Sequence, residues 1–342
     1  MNLRGFGLFL FLLGQLLLGY AAFGQQDQPS SSAPPIQTSS PNAAASPNSE
    51  RKIPPAPGAE AKAADSPKLD LTPDANGQLS QEQMQQLLRV VADKDIENDK
   101  LQRDYTYIER EVENKLDGKG QTKSTEVRTY EILEIYGEQV QRLIEKDDKP
   151  LNAKDAGKEE EKIQKIIDKR KNESEEDRRK REESEEKDRE DGRKFVREVA
   201  EAYNFKLVGT ELLGGREAWV IDGEPRPGYL PHMKEGKYLT KVHGRVWIDK
   251  SDLQLAKMDI ESLDTISWGL FLARFHKGTR VMLEQTRVND EVWLPQHFTA
   301  KVDVRLALLK NFNVGVEQTY RDYRKFRTSA KIVGVGEVQD QK

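Results

Sequence analysis

The chain has no cysteine. That excludes disulfides, a thiolate metal site and lipid attachment at a cysteine. Its four histidines, His232, His243, His276 and His297, are scattered without His-Glu-x-x-His or comparable spacing, so no metal site is expected. There is no Gly-x-Ser-x-Gly elbow and no Gly-rich loop ending in lysine. Carboxylates are plentiful, but most fall in one charged stretch where a pair for acid–base work could not be held in a dry site. No catalytic residue and no cofactor are expected, and the chain reads as a non-enzyme. Net charge is −4, from 55 Lys and Arg against 59 Asp and Glu. Nucleic-acid binding needs clustered cations and is not expected. The apolar run from Phe6 to Tyr20 is too short and too Gly-interrupted for a membrane span.

What is present sorts into segments. Met1 to Arg4 gives a positive start, the apolar run follows, and Ala22-Phe23-Gly24 is a small-x-small cleavage signature. Residues 1–24 therefore read as a signal peptide cleaved near Gly24, which sends the chain to a bacterial periplasm. A retained N-terminal anchor is the alternative. Residues 25–77, rich in Pro, Ser, Ala and Gln, cannot bury enough apolar surface to offset ordering entropy and read as a disordered linker. Residues 78–328 suffice for one domain carrying an insertion, with two small domains as the alternative. Residues 329–342 read as a flexible tail.

Ser80 to Gln83 fits a capping box, and Met84, Leu87, Leu88 and Val91 share one helical face. This helix is expected to pack on the sheet that follows. The stretch 103–113 reads as a strand with Tyr105 and Tyr107 on one face, Ile108 and Val112 on the other. Turns at Asp117 to Gly120 and at Gly137 complete a three-strand antiparallel meander.

Residues 153–194 break the pattern, being roughly three-quarters charged, with Ile163, Ile166 and Ile167 the only large apolar side chains. Acid-to-base pairs four residues apart recur, among them Glu175–Arg179, Glu176–Lys180, Asp177–Arg181 and Glu190–Lys194, each worth about 0.2–0.5 kcal/mol. The stretch predicts a solvated helix or a helical hairpin. Phe195, Val196, Val199, Ala202 and Tyr203 restore an apolar stripe that docks it back, closing an insertion over 153–203.

Hairpins then resume: 205–213 with 216–222 around Gly214-Gly215, 240–248 with 253–261, and 279–288 with 292–308 around Asn289-Asp290, with a last strand to Phe326. About ten strands joined by short loops predict an α+β fold built on a single highly curved antiparallel sheet. Between the hairpins, Ile266 to His276 reads as an apolar helical flap. Trp268, Phe271, Leu272 and Phe275 fall at i, i+3, i+4 and i+7, and Arg274, His276, Lys277 and Arg280 gather at its end.

The segments Gly244 to Asp249, Glu291 to Pro295 and Gln318 to Phe326, within the order helix, meander, helical excursion and long hairpins, resemble the outer-membrane lipoprotein-sorting (LolA-like) superfamily. The resemblance covers about Leu79 to Phe326. It implies a half-open barrel with an apolar cavity under a plugging helix. Its members carry lipids or lipidated proteins through the periplasm, or use the fold to sense envelope stress by binding a partner protein.

The expected ligand site is an apolar cavity and flap made by Trp219, Trp247, Met258, Ile260, Trp268, Phe271, Leu272, Phe275, Leu294 and Phe298. Strand alternation puts Met258 and Ile260 together, and Val292, Leu294, Phe298, Ala300, Val302 and Val304 on one face of the long strand. An apolar stripe fringed with cations suits a lipid, a lipidated protein or an anionic membrane surface. The alternative is a protein-interaction or envelope-stress-sensing module that meets an envelope protein through residues 153–194.

Overall fold

A capping box opens the first helix, as its residues require. In α1 (Gln81–Gln102) Ser80 Oγ accepts from Gln83 N at 3.1 Å, and Gln83 Oε1 accepts from Ser80 N at 2.8 Å. The structure, a computed structural model, describes residues 70–75, 78–136, 138–268, 273–306, 310–326, 331–332 and 338–339. The signal-peptide expectation and most of the linker expectation lie outside the described residues. Within the expected linker, Leu71 packs against the core and Gln83 Nε2 donates to the carbonyls of Asp70 and Thr72, so the packed domain begins before residue 78. In the expected tail, Lys331–Ile332 pairs with Val338–Gln339.

The fold is α+β. Its elements run β1 (Tyr105–Leu116), β2 (Thr122–Ile135), β3 (Glu138–Lys146), β4 (Lys149–Pro150), α2 (Ala153–Lys171), α3 (Glu175–Ala202), β5 (Tyr203–Leu213) and β6 (Arg216–Pro225). A 3-10 turn, Gly236–Lys241, leads to β7 (Val242–Asp249) and β8 (Leu255–Ser262). Then come β9 (Ile266–Trp268), β10 (Ala273–Phe275), β11 (Arg280–Val288), β12 (Val292–Leu306) and β13 (Lys310–Lys325). These thirteen strands form one curved, unclosed antiparallel sheet, eleven of them in the order β4-β3-β2-β1-β13-β12-β11-β8-β7-β6-β5, with β10 paired to β12 and β9 to β10 off that path. The rise from about ten expected strands comes from β4, β9 and β10, each of three residues or fewer. Two-residue turns set several registers: Gly214-Gly215 at φ 55° and 81° and Asn289-Asp290 at φ 51° and 56° match the positive-φ pairs that hairpin twist favours.

Both ends of the sheet are capped by helix side chains. At β3, Leu143 N donates to Glu159 Oε2 at 3.2 Å, and Lys162 Nζ donates to Gln141 O at 3.0 Å. At β5, the Gln81 amide accepts from Phe205 N at 3.0 Å and donates to Phe205 O. An unpaired strand edge invites pairing with other chains, and these side chains take the place of a next strand.

The charged insertion is two helices. Asn172 ends α2 and Ser174 caps α3, its Oγ accepting from Asp177 N at 3.1 Å. Glu173, in the break, binds both Arg170 at 3.1 Å and Arg181 at 3.0 Å. Glu176–Lys180 at 2.7 Å and Glu190–Lys194 at 3.7 Å form as expected, whereas Arg179 turns to Glu183 at 3.6 Å. At its far end α3 packs Phe195 and Val199 against the core.

The expected flap helix is instead a hairpin. Ile266 pairs with Phe275 and Trp268 with Ala273, and β10 pairs with β12 through Phe275–Val304 and Ala273–Leu306. The pairing of β11 with β12 begins at Arg280–Lys301. The far end of β12 thus needs another partner for its backbone groups, and β10 supplies it, overriding the helical spacing.

Candidate functional site

One apolar core joins α1 to the face of the sheet that it covers, here the inner face. Met84, Leu87 and Val91 of α1 lie in one cluster with Phe205, Ile221, Ile248, Met258, Leu283, Phe298 and Val316. Of the expected ligand residues, Met258, Phe275 and Phe298 are buried in this core, while Ile260 and Trp219 pack against it and keep some exposure. Ile266, beside Phe275 in the hairpin, joins them.

Two expected residues fall elsewhere. Trp247 sits in a separate cluster with Ala218 and Val220, its Nε1 donating to Glu211 at 2.8 Å. It is across from Lys257, whereas its neighbour Val246 is the one opposite Met258. Strand alternation therefore gives Trp247 to the other face of the sheet. Leu294 packs with Tyr105 and Val292. The cause is a β-bulge: Glu284 pairs with His297 but Gln285 with Pro295, so the apolar run of β12 does not stay on one face. Phe271 and Leu272 lie outside the described residues, as does the side chain of Trp268. In the basic fringe, Arg280 is held by Asp259, with Nε 2.7 Å from Oδ1.

The inner face changes character across β13, β1 and β2. Val314 and Val316 of the core stand opposite Lys115 and Glu113; the next rungs pair Gln318 with Glu111 and Tyr320 with Glu109. On the far side of β1, Glu109 faces Tyr130 and Glu111 faces Arg128. The strand thus turns its Tyr107, Glu109, Glu111 and Glu113 face inward, and Ile108 and Val112 belong to the opposite face. Gln318 Nε2 donates to Glu109 Oε1 at 3.1 Å and to Glu111 Oε2 at 2.9 Å, and Tyr320 OH donates to Gln318 Oε1 at 2.9 Å. Arg128 is shared by Glu111 at 3.3 Å and Glu113 at 3.5 Å, and also meets Glu126.

Burial dominates the titration here. It pushes the Glu109 carboxyl up to about 8, helped by the Glu111 charge, so Glu109 carries a proton at neutral pH. The hydroxyls of Tyr107, Tyr130 and Tyr320 are raised for the same reason, with Glu109 and Glu111 adding to the shift at Tyr320. On α1, Asp95 lies four residues beyond Val91; burial, then the Asp99 charge, raises it to about 6. The sequence reading placed Tyr107 on a strand face but gave none of these groups a role in a site. The available signal was the two-residue spacing of Tyr105, Tyr107, Glu109, Glu111 and Glu113, a polar stripe as regular as any apolar one.

Among the described residues, no group of three or more His, Cys, Asp or Glu is placed to hold a metal ion. No helix there is long and apolar enough to cross a membrane. No family model matches the chain, and no curated protein matches it. Solved structures do. A putative outer membrane lipoprotein-sorting protein domain from Vibrio parahaemolyticus is 12% identical, with 71% of this chain and 95% of that one covered and a TM-score of 0.31. A LolA superfamily protein from Nitrosomonas europaea is 9% identical over 70% and 93%, with a TM-score of 0.28. The Pseudomonas aeruginosa MucA/MucB complex is 9% identical over 70% and 100%, with a TM-score of 0.19.

Proposed function

We propose that this protein is a non-enzymatic binding protein of the bacterial periplasm that holds an acyl chain, of a lipid or a lipidated protein, against the apolar inner face beneath the β9–β10 hairpin. The observation that carries the reading is the attachment of that hairpin. It stands off the main strand path, strand-paired to the sheet through three residue pairs at the end of β12 and tied at its flanks by His276 N to Asp303 O and Lys241 Nζ to Thr265 O, 2.8 Å each, and it lays Ile266 and Phe275 onto the main core. A short hairpin held on one side is an element that can lift and close over an apolar chain. Burying a CH₂ contributes about 0.8 kcal/mol, so a chain of about sixteen carbons supplies on the order of 10 kcal/mol before ordering costs.

The test is native mass spectrometry of mature protein from a bacterial periplasm, with identification of any co-purifying lipid and a fluorescent fatty-acid uptake assay. The expected result is a stoichiometric lipid that is lost in a Trp268→Asp/Phe271→Asp variant of unchanged circular dichroism. A clean apo mass without fatty-acid uptake would sink the reading. In that case the weight passes to an interaction or envelope-stress module. What favours that alternative is the face of α3 carrying Glu176, Arg179, Lys180 and Glu183, with side chains 63–71% exposed.

A further inference from the structure

β5 is the last strand of the sheet and pairs with β6 alone. At the opposite end, β4 is two residues long and ends in Pro150, while Glu159 and Lys162 take up backbone groups of β3, so that edge is blunted. The β5 edge is blunted at one residue. The Gln81 amide holds both N and O of Phe205, so Phe205 turns these groups away from β6. Alternation then turns Leu207 the same way. Next, a bulge inserts Val208, since Leu207 pairs with Ile221 but Gly209 with Val220. Past the bulge, Leu212 faces Glu217, whose carbonyl accepts from Lys250 N at 2.9 Å on the β7 side. The backbone groups of an opposed pair point either toward each other or apart. Leu212 and, two residues before it, Thr210 therefore turn theirs outward. Among the described residues nothing pairs with the outward groups of Leu207, Thr210 and Leu212. On the same strand Val208 is 47% and Leu212 70% exposed.

An open edge that carries apolar side chains recruits another strand. This edge fits itself. Lys206 is exposed and lies between the inward residues Phe205 and Leu207, hence on the outer face, where Glu211 meets Trp247. When β5 runs antiparallel to β5 of a second copy, two registers oppose open residues to open residues and keep inward-bonded ones opposite each other. One sets Thr210 against Leu212 and brings Glu211 against its own twin, like charges directly opposite. The other sets Leu207 against Thr210 and brings Lys206 against Glu211, on one face and twice over by symmetry. Charge selects the second register. In it, the three-residue step that the bulge puts between Leu207 and Thr210 meets an identical step, and Val208 comes beside Val208 of the second copy at the axis. Leu212 then reaches Phe205, whose outer groups Gln81 already holds, so the backbone pairing ends there. We propose that two copies of this protein join through β5 in this register, making one sheet that runs through both. The inference stands apart from the carrier reading.

Sedimentation velocity of the mature protein over a concentration series, with hydrogen exchange read at single amides, tests this. The expected result is a reversible dimer, with the amides of Leu207 and Thr210 slowing as it forms. Thr210→Pro removes an outward N–H but no bond to β6, and yields a folded monomer. Lys206→Glu sets Glu against Glu twice and raises the dissociation constant at least about tenfold, as does Glu211→Lys with the signs reversed. Mixing these two variants restores the dimer, because each copy then meets the opposite charge at both places. A variant that had merely lost its fold would not be rescued. A protein that stays monomeric at every concentration overturns the proposal. Fast-exchanging β5 amides would then leave the edge to a foreign strand, and slow ones would mean that another segment of this chain covers it. A dimer that survives Thr210→Pro, or variants that mixing does not rescue, overturn it as well, since the contact or its register then lies elsewhere.

Discussion

Replacing Glu109 by Gln should make the protein more stable at pH 8 and flatten its pH dependence. The folded state holds the Glu109 proton up to about pH 8, against an ordinary value of 4.5. Raising an acid's folded pKa means that the native state binds the proton more tightly than the unfolded chain. Below pH 4.5 both states are protonated and Glu109 has no effect on the pH slope. From 4.5 to 8 the unfolded chain gives up its proton and the native one does not, so stability falls by about 1.36 kcal/mol per pH unit. Across that window the loss amounts to about 5 kcal/mol. Glutamine keeps the shape and a carbonyl oxygen that can accept from the Gln318 and Gln141 amides, but has no proton to lose. Urea unfolding of the wild type and Glu109→Gln at half-unit steps from pH 5 to 8.5 measures the difference directly. Other titrating groups, Asp95 among them, cancel in that difference. The expected result is a gap that widens in favour of the variant as pH rises. Two parallel curves would refute the burial argument.

Asp249 gives the opposite sign. Burial pushes its pKa up, but the Arg216 fork at 2.7 and 2.8 Å and the amides of Ser251 and Asp252 outweigh it, leaving the carboxyl below its ordinary value. Its contribution is present above about pH 4 and is lost as the pH falls through the depressed folded value. Asp249→Asn should cost about 2–4 kcal/mol at pH 7, because Arg216 loses a charged partner that is 1% exposed, and should weaken the acid slope in the same urea assay. Gly236→Ala places a Cβ 2.0 Å from Glu198 Oε1 and 2.9 Å from Pro231 Cβ. Glu198 cannot easily give way, since it accepts from the amides of His232 and Met233 at 2.8 Å each. The variant should lose about 1–3 kcal/mol and expose the amides of residues 232–233 to faster hydrogen exchange. Unchanged exchange would mean that Glu198 does not pin that loop.

Much of the fold was legible because the residues that carry it act locally. Ser80 and Gln83 form a capping box within four residues, and Gly214-Gly215 and Asn289-Asp290 need only their own backbone angles to set a hairpin. Three things were decided by partners distant in sequence. The bulge between Pro295 and His297 separates Leu294 from Phe298, and nothing in the apolar pattern of the strand marks the slip. The stretch 266–275 has helical spacing, yet it lies where the end of β12 needs a partner, so it pairs as strands. Trp247 reads as apolar cargo contact, but alternation in β7 is fixed by Val246 against Met258 and sends the indole to the other face.

The inner acids were missed for a different reason. Sequence alternation separates Tyr105 and Tyr107 from Ile108 and Val112 in β1 but does not say which face turns inward. The register of β1 with β13 decides it, because Glu113 stands opposite Val316 of the core and pairing then carries Glu111 and Glu109 inward along the same face. A one-residue slip would have put Ile108 and Val112 inside and the glutamates in water. Desolvating a carboxyl is costly, and the gain on the other side of that choice is a wall of hydroxyl, amide and carboxyl groups next to an apolar floor. The same slip would also carry Tyr107, buried and in ring contact with Tyr320 and Tyr323, out of the interior, so aromatic burial holds the register that the glutamates burden.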